Sequence, residues 1–224
     1  MTTYGLQPGE YSFDNEGQGF TPDTSDRVIE MWEQHGFCVI QDAYEPGCLT
    51  VLQDGTDQRW ASATAAGQIE SLDGDTRYIT PKSQPTTEEG VDIVLANTAN
   101  AINTAGLSSM VVRTHDRDLI KGSMPYKTTP GSELKVPATA YGGALLGIVQ
   151  IEGETQATIQ RSRALLPGTT TVAQGVELSE NDLLLIPNRW QPFNRKRPVY
   201  PQINHVTSED SARNDTGTFL TFTF

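Results

Sequence analysis

The stretch Lys135–Thr155, KVPATAYGGALLGIVQIEGET, decides how the rest of this 224-residue chain is read. Its centre, LLGIVQIEG, is a short apolar run with Gly142 and Gly143 before it and Gly153 at its end. A run of that length between turn-forming residues reads as a β-strand. Runs of the same texture surround it: SSMVVRT, TQATIQRS, TTTVAQGVEL, DLLLIPN, INHVT and TFLTFTF. Gly, Pro, Asn and Asp separate them. From Leu107 onward the chain therefore predicts seven or eight short strands.

Upstream the period changes. Residues 1–24 are rich in Gly, Pro, Asp and Asn and read as an irregular arm. Ser25 or Asp26 can cap a helix, DRVIEMWEQH, whose Val28, Ile29, Met31 and Trp32 fall at helical spacing. Gly36 is a suitable left-handed terminator, and FCVI follows as a short strand. Pro46 is placed to start a second helix, interrupted at Gly55. DTRYIT predicts a strand, and TTEEGVDIVLANTANAINTAG a helix with acids in its first turn. Helices followed by strands predict an α+β protein with a β-sandwich or barrel core and an N-terminal helical layer. Residues 25–224 form one domain in this reading.

Composition narrows the function classes. Hydrophobic residues make up 36% of the chain and the formal net charge is −12. An acidic chain repels phosphate backbones, so no nucleic-acid partner is expected. No apolar run is long enough for a transmembrane helix. The N-terminus has neither a basic start nor an apolar stretch, so a cytoplasmic protein is expected. Cys38 sits in an apolar run and reads as a buried small hydrophobe. Without a Cys-x-x-Cys pair a thiolate zinc site is not expected, and a disulfide to Cys48 would be unusual in a reducing compartment. One basic cluster stands out, Arg189, Arg195, Lys196 and Arg197, either a solvated loop or a site for an anionic substrate or partner.

The order of these segments resembles the iron(II)/2-oxoglutarate-dependent oxygenases, in particular their isopenicillin-synthase-like branch. The opening VIEMWEQHGFCVIQDAYEPGCL resembles that family's helix, GF, strand and second helix. ENDLLLIPNRW resembles its GDLL strand and the turn after it, INHVT the strand that delivers a distal histidine, and TGTFLTFTF the closing strand. The resemblance spans Arg27 to the C-terminus and implies a double-stranded β-helix (jelly roll) core. Where the family carries His-x-Asp before Tyr-Gly, this chain reads ATAYGG, with Ala138 and Ala140 at the ligand positions.

Those alanines bear on the chemistry. A 2-His-1-carboxylate triad offers three lone-pair donors and leaves open positions on the metal. A methyl group offers none, and His205 alone would not hold iron. The resemblance implies metal positions at 138, 140 and 205, catalytic-site positions at Tyr141 and Trp190, and a cation for 2-oxoglutarate on the last strand. That strand offers Thr216, Thr218 and Thr221, with Arg213 two or three residues early. Fe(II) and 2-oxoglutarate are thus the implied cofactors, and none at all is the expectation for a chain without the ligands. The implied reaction is hydroxylation, desaturation or ring closure of a small metabolite, anionic if the basic loop rims the cavity. The alternative is a metal-free binding protein or metal-independent enzyme on the same fold. A metal-binding cupin is disfavoured, because the chain has only three histidines.

A relocated triad fits poorly. His115 and Asp116 are adjacent, and His115 and Asp118 are three apart, so on an ideal strand each pair points to opposite faces. That segment reads as a polar strand end or turn. His35 ends a helix, where a polar or cationic side chain is favoured.

Overall fold

The computed structural model describes residues 6–35, 37–72, 76–79, 89–104, 122–128, 133–135, 145–162, 169–187, 199–204 and 217–223. The arm is more ordered than its composition predicts. It contributes α1 (Pro8–Tyr11) and β1 (Ser12–Asp14), which pairs in parallel with β2 (Cys38–Gln41). Asn15 fastens it. The Asn15 amide donates to Gly19 O at 2.7 Å and Ala43 O at 3.3 Å, and its Oδ1 accepts from Thr24 Oγ1 at 2.8 Å. Side-chain bonds of this kind leave no apolar pattern in the sequence.

Helix α2 (Pro22–His35) begins before the expected Ser25 or Asp26 cap. Thr21 precedes it, with Pro22 in the first turn, where a missing N–H costs nothing. Thr21 Oγ1 accepts from Thr24 N, and Thr24 Oγ1 accepts from Thr21 N, both at 3.2 Å, a reciprocal capping arrangement. His35 lies in the last turn, as expected, and Gly36 falls outside the described residues. Helix α3 (Pro46–Ala65) runs unbroken through Gly55, which is buried on the packed face. Packing against α4 (Glu89–Thr104) overrides the weak local propensity there.

Strands β3 (Ile69–Leu72) and β4 (Thr76–Ile79) form a hairpin, and eight strands follow: β5 (Gly122–Thr128), β6 (Glu133–Lys135), β7 (Leu145–Glu152), β8 (Thr155–Ser162), β9 (Thr169–Leu178), β10 (Leu183–Pro187), β11 (Val199–Asn204) and β12 (Gly217–Thr223). The runs SSMVVRT and RTHDRDL lie outside the described residues. Two sheets result. The larger has the order β1-β2-β10-β7-β12-β5-β4-β3 and the smaller β6-β11-β8-β9. Apart from β1 with β2, every pair is antiparallel. The expected mixture of helix and sheet is present.

The larger sheet is covered on both faces. Along β10, Leu183 and Leu185 join the core beneath α2, α3 and α4, while Leu184 and Ile186 join the core shared with β8 and β9. β12 divides likewise, with Phe219 facing the small sheet and Leu220 and Phe222 facing the helices. Period-two alternation explains the division, since neighbouring side chains leave a strand on opposite faces. Burying each such side chain contributes about 1.5–3 kcal/mol.

Cys38 is buried and Cys48 half-buried, and neither is in a disulfide. Burial pushes the Cys38 thiol well above its ordinary pKa, in keeping with an inert packing residue. No described helix is long and apolar enough to cross a membrane.

The tightest contact is at Gly147 on β7, opposite Phe222 on β12. A Cβ at Gly147 would lie 2.3 Å from Phe222 Cζ. Gly147→Ala is therefore expected to destabilise the protein by about 2 kcal/mol through overpacking, read from urea unfolding midpoints. Adding Phe222→Leu should recover part of the loss. If Gly147→Ala alone leaves the midpoint unchanged, the ring is not confined as described.

Candidate functional site

Strand polarity defines the two ends of the sandwich. β7 ends at Glu152 and β8 begins at Thr155 after a two-residue turn. Gln156 of β8 pairs with Asn204 of β11, and Asn204 pairs with Glu133 of β6. The start of β6, the end of β11 and the end of β7 therefore share one end. At the other lie the end of β6 at Lys135, the start of β7 at Leu145, its partner Pro187 closing β10, and the start of β11 at Val199. Segments 136–144 and 188–198 leave the sheets at this second end, and segment 205–216 leaves at the first.

This assignment bears on each expected site residue. Ala138, Ala140 and Tyr141 belong to 136–144, Trp190 and the basic cluster to 188–198, and His205 and Arg213 to 205–216. All lie outside the described residues. The strands bring together the departure points of the segments carrying Ala138, Ala140, Tyr141 and Trp190. They do not bring Asn204, the residue before His205, to that end, because Asn204 faces Glu133 while Lys135 faces Gln202. Of the expected strand INHVT, Ile203 and Asn204 lie in β11, which occupies VYPQIN, and residues 205–207 fall outside the described residues. His115, Asp116 and Asp118 also fall outside the described residues.

Between the sheets the chemistry is apolar. Met124, Leu146, Ile148, Leu184 and Ile186 meet Ala157 and Ile159, and Tyr126 stacks on Phe219 with centroids 5.0 Å apart at 11°. β12 carries no charged residue. Two of its threonines are engaged: Thr221 Oγ1 donates to Met124 O at 3.2 Å, and Thr218 Oγ1 to Glu152 Oε2 at 3.3 Å. Among the described residues no three His, Cys, Asp or Glu side chains are placed to hold a metal. The donors described do not fit an iron centre, and no step through iron is assigned to them.

Among the described residues, a buried and perturbed carboxyl, Asp182, sits at the turn from β9 to β10. Asp182 Oδ2 accepts from Ser179 N at 2.8 Å and Oδ1 from Asp42 N at 3.2 Å. Asn181 adopts a left-handed backbone (φ 73°) and reaches across to the chain after β2. Its amide donates to Tyr44 O at 2.9 Å and to Asp42 Oδ1, and its Oδ1 accepts from Tyr44 N at 3.1 Å. Burial pushes Asp182 up to about 6; its two backbone hydrogen bonds oppose this, and the Asp42 and Asp14 charges add to it. The arrangement is a clasp between β2 and β10. The sequence signal was the ENDLL turn, read for its resemblance and not for a titrating group.

No family model matches the chain, and no curated protein matches it. Among solved structures it is similar to an oxidoreductase of the 2OG-Fe(II) oxygenase family from Burkholderia pseudomallei. That match has a TM-score of 0.52 at 11% identity and covers 95% of this chain and 93% of that one. A prolyl hydroxylase from Trichoplax adhaerens, in complex with a hypoxia inducible factor oxygen degradation domain peptide fragment, matches with a TM-score of 0.50 at 12% identity, over 90% and 89%. The non-heme alpha ketoglutarate dependent epimerase SnoN from nogalamycin biosynthesis matches with a TM-score of 0.50 at 9% identity, over 90% and 82%.

The fold is that of 2OG-Fe(II) oxygenases. At these identities it is the fold that is shared, and a fold does not fix a reaction.

The clasp makes a prediction about pH. Folded Asp182 keeps its proton up to about pH 6, whereas its ordinary value is 3.8. Between those values the folded state holds a proton that the unfolded state has released. Its contribution therefore favours folding in acid and is lost as pH rises through 6. Urea midpoints of the wild type should carry this slope between pH 4.5 and 7, on the order of the window set by that shift. Asp182→Asn should flatten it while lowering stability by about 1 kcal/mol through one lost backbone hydrogen bond. Equal slopes in the two proteins would place the titration elsewhere.

Proposed function

We propose that this chain is an oxygenase-like protein on a jelly-roll core, in a form whose first two metal ligands are replaced by Ala138 and Ala140, and that it takes a small anionic metabolite. The strand order carries this reading. From β5 to β12 the chain passes between the sheets so that β10-β7-β12-β5 faces β6-β11-β8-β9. Alternation of the chain between two facing four-stranded sheets supports a double-stranded β-helix. The similarity to the oxygenase of Burkholderia pseudomallei, over 95% of this chain, supports the same reading.

The proposed site lies at the end of the sandwich from which 136–144 and 188–198 depart. Arg189, Arg195, Lys196 and Arg197 favour an anionic ligand there. Tyr141 and Trp190 supply aromatic surface to orient it and exclude water. In the family, Fe(II) held with 2-oxoglutarate would activate dioxygen, the oxidant for hydroxylation, desaturation or ring closure, with 2-oxoglutarate as the co-reductant. The residues of this chain bind and shield.

A second reading, a metal-free binding protein or metal-independent enzyme on the same fold, is favoured by one observation. The two alanines remove the lone pairs that a metal centre needs. Anaerobic titration with Fe(II) and 2-oxoglutarate separates the readings. As it stands, the chain should give no visible charge-transfer band. Ala138→His with Ala140→Asp should gain tight Fe(II) binding. A band from the unaltered chain would mean a working site built from other residues. A doubly substituted protein that folds yet binds no iron would mean that positions 138 and 140 do not form a ligand set with His205, the residue after the Asn204 that faces Glu133.

A further inference from the structure

The outer face of β5 carries a second polar centre, on the opposite side of the sheet from the sandwich interior. Thr56, Arg59, Trp60 and Ala63 line the buried face of α3 above it. Arg59 is only 6% exposed. Its Nη1 donates to Ser123 Oγ at 2.8 Å, and its Nη2 meets Asp92 Oδ1 at 3.5 Å. That is one hydroxyl and one long, single contact to a carboxylate for a group with five N–H donors and a permanent charge. Burying a guanidinium is costly unless it is paired with good geometry and its remaining donors are met.

Two more polar groups in the same turn have no partner among the described residues: Thr56 Oγ1 and Trp60 Nε1 are both buried without a hydrogen bond to any of them. Thr50, Thr64 and Thr98 each return the hydroxyl to the carbonyl four residues back, and Thr56 does not. Thr56 lies three residues before Arg59 and four before Trp60, spacings that put their Cβ atoms about 5–6 Å apart. From β5, Lys127 Nζ lies 5.5 Å from the centre of the Trp60 ring. The same Nζ lies 3.8 Å from Asp57 Oδ1, so Lys127 is charge-paired. The donors left over belong to Arg59, Thr56 and Trp60, and what they call for is a further acceptor.

We propose that the buried face of α3 at Thr56, Arg59 and Trp60, against α4 and β5, binds a small oxyanion, a carboxylate or phosphate. Arg59 supplies the charge, and Thr56 Oγ1 and Trp60 Nε1 supply further hydrogen bonds. A guanidinium fork suits two oxygens of either group. The chain's net charge of −12 opposes general anion binding, so an anion held here is held by these side chains. The inference does not rest on the reading of the sandwich end.

Thermal unfolding of the full chain tests it, in titrations with sodium phosphate, sodium acetate and sodium chloride at matched ionic strength. A saturable rise in Tm with phosphate or acetate, absent with chloride, is expected. Which of the two acts identifies the oxyanion. Trp60→Phe keeps the ring and loses the N–H, and it should weaken the apparent affinity about fivefold, the worth of one hydrogen bond. Arg59→Gln should abolish the saturable shift. If Arg59→Gln does not fold, Trp60→Phe and Thr56→Val carry the test. Identical responses to all three salts would overturn the proposal. So would an oxyanion response that neither Trp60→Phe nor Thr56→Val changes, because the groups binding it would then lie elsewhere.

Discussion

The larger sheet is buried on both faces, and the rest of the structure depends on that. A central strand in such a sheet needs apolar side chains at successive positions, and its backbone groups must be met by strands on either side. β10 satisfies both demands with Leu183, Leu184, Leu185 and Ile186, paired to β2 on one edge and β7 on the other. The helices and the small sheet are then fixed on opposite sides, because each covers one half of the alternation. At Gly147 the packing leaves no room even for a methyl group.

The same constraint decides where chemistry can occur. Among the described residues, Tyr126 packs on Phe219 between the sheets, and Thr218 and Thr221 of β12 are bonded to neighbours. One end of the sandwich is organised by the Asn181–Asp182 turn clasped to Asp42 and Tyr44. Toward the other lie Lys135, Leu145, Pro187 and Val199, which flank the segments carrying Ala138, Ala140 and the basic cluster. The fold supplies these locations and does not by itself fix a reaction.

Outside the sandwich, the helical layer does more than cover apolar surface. Arg59 is drawn into it by Ser123 and Asp92, beside two buried polar groups that have no partner among the described residues. A charge placed in packing where an aliphatic side chain would be less costly calls for a polar role.

Strands β7, β8, β9, β10 and β12 were legible in the sequence because each is a continuous β-rich run between turn residues. β5 and β11 were not, since Pro125 and Pro201 argue against a strand interior. The structure accommodates both prolines where registered pairing to one neighbour stops: β4 pairs only with Tyr126 and Lys127 of β5, and β6 only with Gln202, Ile203 and Asn204 of β11. The arm was misread because Asn15 and the Thr21–Thr24 cap hold it through side-chain bonds that leave no period. By itself the sequence determined the mixed helix-and-sheet class and the two alanines, since side-chain period and residue identity are local properties. Only the tertiary structure decided strand order, register and which end of the sandwich each segment leaves, because those depend on pairing between residues far apart in the chain. The opposite exits of β6 and β11, which bear on how His205 relates to Ala138 and Ala140, are a consequence of that pairing alone.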